Sequence, residues 1–269
     1  MIWKCKEKEI EYGKDVLIMG IVNVTPDSFS DGGDHFKCED AVECAIKLVE
    51  DGADIIDIGA QSTRPGHTPV SDKEEWQRLK PVLKALNGKI SVPVSIDTYY
   101  PFVAEKSLEN GADIINDVSG VINPEMAKIV KSSGCGWVIM HNGHTTPDDI
   151  KSFFENSIAE CEKLGIDKSQ ICLDMGIGFN KDYEENLKLL TSVDYYKFDG
   201  CPLLLGTSRK RVIGQGSRQE IPKERVYGNI AFSADTVAVM QGADIIRIHD
   251  VLNEKQGIYM AQALRDFKN

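Results

Sequence analysis

Eight short apolar runs in this sequence each end on or beside a polar residue: Asn23, Asp57, Asp97, Asn116, His141, Asp174, Ser208 and Arg247. Such endings suit a purely structural core poorly, because a buried polar group without a partner costs about 1–3 kcal/mol. A helix cap or a satisfied loop explains any single one of them equally well; a ring of eight points to a binding site. The ring divides by chemistry. Asp97, Asn116 and Asp174 supply acceptors that can hold the donor-rich edge of a planar heterocycle, such as a 2-amino-4-oxo pyrimidine ring. Arg64, Lys210, Arg247 and His249 supply donors suited to phosphate or carboxylate groups. The expected ligand is therefore a polar heterocycle at one end and anionic at the other.

The elements that must position these groups repeat along the chain. The string GADII occurs at residues 52–56, 111–115 and 242–246, each time after a helix-like stretch. Five further runs look alike: VLIMGIVNV (16–24), PVSID (93–97), GWVIMH (136–141), ICLDMGI (171–177) and PLLLGTS (202–208). They are β-branched and lack alternation, as parallel strands buried on both faces do. Amphipathic stretches of helical length lie between them, such as EDAVECAIKLVEDG and NPEMAKIVKSSG, the latter ending on a helix-stopping glycine. Eight such units in 269 residues give about 34 residues each, the size of a (β/α)8 TIM barrel. The spacing predicts an α/β fold of a single domain, residues 1–269, with a short hairpin over residues 2–12 closing the bottom of the barrel. An open doubly wound sheet competes, but no G-x-G-x-x-G follows the first strand. Barrel enzymes build their sites where strands end, which is where the polar ring falls.

Charge and cysteine usage narrow the partners. Lys and Arg total 31 against 42 Asp and Glu, a net charge of -11. That excludes a sequence-independent nucleic-acid binder, which needs a basic face. The basic trio Arg209, Lys210 and Arg211 then reads as a small-anion site. The run Val16–Val24 is too short to span a membrane, and the N-terminus lacks the apolar stretch of a signal peptide. Seven scattered cysteines, never spaced C-x-x-C, read as reduced, mostly buried thiols of a cytoplasmic protein. His141 and His144 lack flanking cysteines or acidic clusters and read as loop residues rather than metal ligands; His35 and His67 read likewise. Trp3, Trp76 and Trp137 are expected in the core or anchoring the hairpin.

The loops carry a more specific signal. NVTPDSFSDGG (23–33) follows the first strand and IGAQSTRPG (58–66) the second; SIDT (95–98) and INDVSG (115–120) close the third and fourth. GIGFNKDYEENL follows Asp174, GTSRKRVIG spans 206–214, and IIRIHDV closes the last strand. In this order and spacing the set resembles the dihydropteroate synthase family, from about Met19 to the C-terminus.

The resemblance implies a folate-pathway transferase. Its enzymes join 6-hydroxymethyl-7,8-dihydropterin diphosphate to 4-aminobenzoate, releasing diphosphate and forming 7,8-dihydropteroate. By the same likeness, Asp97, Asn116 and Asp174 would meet the pterin edge, Lys210 would bond the ring and Arg247 would stack on it. Asn23 would ligate Mg2+, and Asn23, Arg247 and His249 would hold the diphosphate. Thr63, Arg64, Pro65, Ser208 and Phe29 would frame the 4-aminobenzoate. Asp31, on a first loop hinged at Gly32 and Gly33, would join Asp97, Lys210 and Arg247 around the reacting carbon, with no covalent enzyme intermediate. A homodimer through helices on the side of the barrel and competition by sulfonamides are further implications.

Three positions depart from the family pattern. Asn142 stands in MHNG where the second methionine of Met-His-Met is usual, Gln61 stands for a glutamate, and Met175 for a proline. None is a residue assigned to the reaction. Two other readings share the acceptor set. A methyltetrahydrofolate–corrinoid methyltransferase would have no use for Asn23 with Mg2+, STRPG or SRK, and a non-catalytic pterin binder no need of Asp31, Arg64, Lys210 and His249.

Overall fold

In a computed structural model, the chain is described over residues 1–24, 34–61, 68–231 and 239–268. A hairpin of β1 (Ile2–Cys5) and β2 (Lys8–Glu11) comes first. The barrel unit then repeats: β3 (Leu17–Asn23), α1 (Asp34–Glu50), β4 (Ile55–Gly59), α2 (Asp72–Leu86), β5 (Val94–Asp97), α3 (Pro101–Glu109), β6 (Ile114–Asp117), α4 (Pro124–Ser133), β7 (Gly136–Met140) and α5 (Pro147–Leu164). It continues through β8 (Ile171–Asp174), α6 (Tyr183–Leu190), β9 (Leu203–Leu205), α7 (Arg211–Ser217), α8 (Val226–Ile230), β10 (Ile245–Ile248) and α9 (Val251–Lys268). Strands β3 to β10 pair in sequence order, all parallel, and β10 pairs back onto β3, closing the barrel.

The three GADII repeats make one local device. Gly52, Gly111 and Gly242 take left-handed backbone (φ 107°, 101° and 87°), a conformation that favours glycine. The alanine that follows is buried in each copy. The aspartate then accepts the first free backbone N–H of the preceding barrel strand: Ile18 N to Asp54 at 2.8 Å, Val94 N to Asp113 at 2.9 Å and Leu203 N to Asp244 at 2.9 Å. Each repeat thus turns the chain, fills the gap beneath it and ties adjacent strands together.

Helix ends follow their sequence signals. Ser71 and Asn123 cap α2 and α4 through their side chains, and Thr146 with Asp149 forms a reciprocal capping box on α5. Gly134 and Gly165 end α4 and α5 in the left-handed conformation.

Two strands are shorter than the apolar runs predict. β8 stops at Asp174 because that carboxylate turns back to accept Gly176 N at 2.8 Å. Gly176 has φ 66°, and a Cβ there would run into the His141 carbonyl. β9 spans only Leu203–Leu205, so Ser208 lies on the loop beyond it.

Side-chain parity sets up the site. Met19, Ile55, Ile114, Val138, Cys172, Leu204 and Ile245 form one cluster with Trp3, Cys5, Ile10 and Tyr12 of the hairpin segment, an apolar plug at the bottom of the barrel. Strand side chains alternate faces, so the inward positions one step above that plug are Ile21, Asp57, Asn116, Met140, Asp174, Gly206 and Arg247. The residues between them face outward into a larger core shared with the helices, which includes Ile56, Ile58, Ile115, Ile139, Leu173 and Ile246. All seven cysteines are free thiols, five buried and two half-buried. Among the described residues, no helix is long and apolar enough to cross a membrane.

Candidate active site

The inward polar positions at the top of the barrel form one connected cluster. Arg247 on β10 reaches across it, donating from Nε to Asp57 Oδ2 at 2.6 Å and from Nη2 to Asp97 Oδ2 at 2.9 Å. Asp57 also accepts from Ser95 Oγ at 2.6 Å and from Asn116 Nδ2 at 3.1 Å. Asp97 and Asn116 are paired neighbours in the β5–β6 register. After these bonds, Asp97 Oδ1 and Asn116 Oδ1 are left buried with no hydrogen-bond partner. Two acceptors thus lie side by side with nothing to accept.

Charge in this cluster is finely opposed. Burial pushes the Asp97 carboxyl up to about 7, against Arg247, which lowers it, and with Asp57, which raises it. Burial raises Asp174 also, countered by Lys210. Lys210 falls to about 8, with burial opposed by Asp174. For Arg247 burial works against the charged form, but Asp57 and Asp97 overcome it and hold the guanidinium charged. Lys210 Nζ donates to the Ile177 carbonyl at 2.5 Å and sits 4.8 Å from the centre of the Phe179 ring, a cation–π approach.

At the rim, the His249 ring meets Ser208 Oγ through Nδ1 at 3.0 Å, and the same hydroxyl accepts His249 N at 3.2 Å. Ser208 therefore orients His249, and α7 begins three residues later at Arg211. Asn23 ends β3 half-buried. Of the sequence-derived candidates, Asn23, Asp97, Asn116, Asp174, Ser208, Lys210, Arg247 and His249 all fall at this one end of the barrel. Phe29, Asp31, Thr63, Arg64 and Pro65 lie outside the described residues.

Sequence reasoning passed over two groups. Asp57 stands in the polar ring but carried no assignment, because only geometry reveals that it anchors Arg247 and Asn116 together. Lys181 donates to three carbonyls, of His141 at 3.1 Å, Gly176 at 3.1 Å and Phe179 at 3.3 Å, and so fixes the turn beyond Asp174. Burial lowers it to about 8. Nothing in its spacing distinguishes it from a surface lysine. His141 lies just past β7 with its ring edge-on to Phe153, held neutral with its pKa lowered to about 4 by burial and by Lys181. His144 instead meets Glu185 at 3.3 Å.

The three departures from the family pattern each have a place. Asn142 donates to the Val118 carbonyl at 2.9 Å and accepts from Asn180 Nδ2 at 2.8 Å, joining three of the loops around the mouth. Gln61 accepts Val70 N at 3.0 Å and donates to the buried Glu75 at 3.3 Å. Met175 is fully buried in the core outside the barrel wall, and the turn it sits in is held by Asp174 and Gly176.

The family model described as pterin binding enzyme matches residues 19–249. A curated relative from Clostridium beijerinckii, dihydropteroate synthase, is 40% identical over 97% of this chain and 98% of its own. The chain belongs to the dihydropteroate synthase family. Solved structures of the family superpose closely. The Clostridium difficile dihydropteroate synthase, crystallised in the presence of pteroic acid, is 43% identical with a TM-score of 0.90, covering 95% of this chain and 98% of that one. The Xanthomonas albilineans dihydropteroate synthase with 4-aminobenzoic acid is 38% identical with a TM-score of 0.88, over 93% of each chain. Family membership makes the chain a transferase that joins a pterin group to 4-aminobenzoate.

Proposed function

We propose that the mouth of the barrel performs this transfer with the residues assembled there, condensing 6-hydroxymethyl-7,8-dihydropterin diphosphate with 4-aminobenzoate to 7,8-dihydropteroate. The observation that carries the assignment is the pair of unpartnered acceptors, Asp97 Oδ1 and Asn116 Oδ1, on adjacent strands. A dihydropterin edge presents N–H groups that satisfy both, which removes the cost of two buried orphan oxygens. Asp174 faces the same volume from β8, and the Lys210 ammonium and Arg247 guanidinium lie beside it.

Departure of diphosphate leaves positive charge spread over the pterin methylene and ring. Asp97 and Asp174 stabilise that charge where it develops, from fixed and largely buried positions. Arg247 and His249 take up the negative charge of the leaving group, and the nitrogen of 4-aminobenzoate attacks the freed carbon, giving up one proton to the departing diphosphate. No protein nucleophile is needed. Thr63, Arg64, Pro65, Ser208 and Phe29 are the proposed 4-aminobenzoate contacts, with Asp31 of the first loop near the reacting carbon.

The donor set fits a hard cation held sparsely. Among the described residues the Asn23 amide makes no hydrogen bond, while the carboxylates Asp57 and Asp97 are already engaged with Arg247. Asn23 is thus the neutral oxygen ligand proposed for Mg2+, the diphosphate supplying the others. When bound, Mg2+ would offset the charge of the leaving group. Further parts of the proposal are that residues 1–269 act as one pterin-binding domain, that the protein works in the cytoplasm as a homodimer, and that sulfonamides compete with 4-aminobenzoate.

The test is diphosphate release on mixing the pterin diphosphate, 4-aminobenzoate and Mg2+. One diphosphate per dihydropteroate is expected, inhibited competitively by a sulfonamide. The Asp97→Asn variant should lose about 10–100-fold in kcat/KM, the range for a hydrogen bond to a charged group. Full activity of a variant with both Asp97 and Asp174 replaced by alanine would sink the assignment. Sedimentation in solution checks the dimer.

A further inference from the structure

Asp57 is fully buried on β4, and the reaction as described makes no use of it. Its three donors come from three other strands: Ser95 on β5, Asn116 on β6 and Arg247 on β10. A carboxylate only accepts, whereas a primary amide has one donating and one accepting end. Asp57 can therefore bond Asn116 only through its NH2 group, and the amide oxygen must point the other way, where it has no partner. The same logic extends to Asp97. Because Arg247 spends Nε on Asp57, it meets Asp97 at Oδ2 alone, leaving Oδ1 open.

We propose that Asp57 is a positioning residue that sets the polarity of the pterin-recognition edge, forcing Asn116 and Asp97 to present acceptors side by side. This rests on the reading that Asp97 and Asn116 meet the heterocycle. It predicts selectivity for a ring with an amino group at position 2 over one with oxygen there. A 2-amino-4-oxo ring offers N–H donors to both acceptors. A 2-oxo ring sets an acceptor against an acceptor, a mismatch that leaves buried lone pairs facing each other.

Asp57 also acts on Asp97 electrostatically, in the opposing sense. The charged and titratable groups facing Asp97 are Asp57 on β4, Arg247 on β10, Asp174 on β8, Lys210 beyond β9 and Glu75 on α2. Asp57 adds negative charge and also holds part of Arg247, and both effects favour the protonated form of Asp97. Neutralising Asp57 therefore shifts Asp97 toward lower pKa.

The experiment is calorimetric titration of wild type and Asp57→Asn with 6-hydroxymethylpterin and with its 2-oxo analogue, a lumazine. An amide at position 57 can donate or accept, so Asn116 is free to reverse. The pterin-over-lumazine affinity ratio should fall about tenfold or more, the range expected when one hydrogen-bond mismatch is relieved. The acid limb of the kcat/KM profile should move to lower pH. A folded Asp57→Asn protein with ratio and acid limb unchanged overturns the proposal.

Where that variant does not fold, Ser95→Ala carries the same test. It loosens Asp57 without removing its charge and should lower the ratio about two- to fivefold, the loss of one hydrogen bond to a charged group partly compensated; an unchanged ratio overturns the proposal. Asp97→Asn separates this idea from the site itself. If it keeps full pterin affinity, the site reading fails. If it loses pterin while Asp57→Asn keeps its selectivity, only the role of Asp57 fails.

Discussion

A carboxyl held near neutrality can exchange its proton when a ligand arrives. Asp97 sits at about 7 because burial outweighs the attraction of Arg247. N–H donors from a bound pterin stabilise the ionised form, so its pKa falls on binding. Between about pH 6 and 8, 6-hydroxymethylpterin should therefore release up to one proton per site, a window set by the folded value near 7. Titrations in two buffers of different ionisation heat read the proton directly; proton uptake, or the same release from Asp97→Asn, would contradict it. Lys210 faces the same pocket from beyond β9, beside Asp174. Its replacement by alanine leaves Asp174 without its main counter-charge and removes a donor from the pocket. Pterin affinity should drop about 10–100-fold, as for a charged hydrogen bond, measured by the same titration. The placement of Asp97, Asn116 and Asp174 at the top of the barrel was legible in the sequence because each closes a short apolar run. The bonds of Asp57 were not legible, since which member of a polar ring bonds which other depends on strand register and side-chain reach.

At the scale of elements, the connection between β4 and α2 is clamped at both ends. Gln61 binds Val70 N at 3.0 Å, Tyr100 OH binds the Val70 carbonyl at 2.8 Å, and Arg78 holds the Ala60 carbonyl at 2.9 Å. Beneath them Glu75 is fully buried against Gln61. Burial pushes its carboxyl up to about 7, lowered by Thr98 and Arg78 and raised by Asp97. Its folded pKa lies above the unfolded value of 4.5, so the stabilisation it gives is complete below about pH 4.5 and is lost as pH rises through 7. Wild type should accordingly lose stability between about pH 4.5 and 7, by on the order of 3 kcal/mol, and Glu75→Gln should show a flatter curve of Tm against pH. Parallel curves for the two proteins would count against a neutral Glu75. The positions of Gln61 and Asn142 could be flagged from sequence as departures, but not their bonds to Val70 and Val118. Those partners lie on segments brought close only by folding. Strand existence was readable throughout, because a run buried on both faces needs no alternation. Strand ends were less so: at Asp174 a side-chain hydrogen bond, not hydropathy, stops the strand.

The whole molecule separates stability from chemistry along the axis of the barrel. Its lower half is apolar and closed by the hairpin; its upper half is polar and holds the site. A net charge of -11 gives the exterior no general attraction for a diphosphate, so the proposed anion handling rests on Arg247 and His249 at one end. Trp3 shows how far the division holds. It is fully buried in the lower plug among Met19, Ile55, Val138 and Cys172, and its Nε1 donates to the Gln170 carbonyl at 2.9 Å. Trp3→Ala opens a cavity large enough to cost about 3–5 kcal/mol, the range for truncating a buried aromatic. It also orphans that carbonyl, which keeps the loss toward the upper end. Yet Ile21, Asp57, Asn116, Met140, Asp174 and Arg247 sit one step above the plug, on strands of the closed barrel. Packing loss below should therefore lower the midpoint of urea unfolding while leaving kcat and both KM values of the folded protein within about twofold, since the catalytic face of such barrels lies at the opposite end of the strands. A Trp3→Ala protein that melts normally but fails in turnover would mean that the plug and the mouth are coupled, and that the layer between them transmits strain rather than absorbing it.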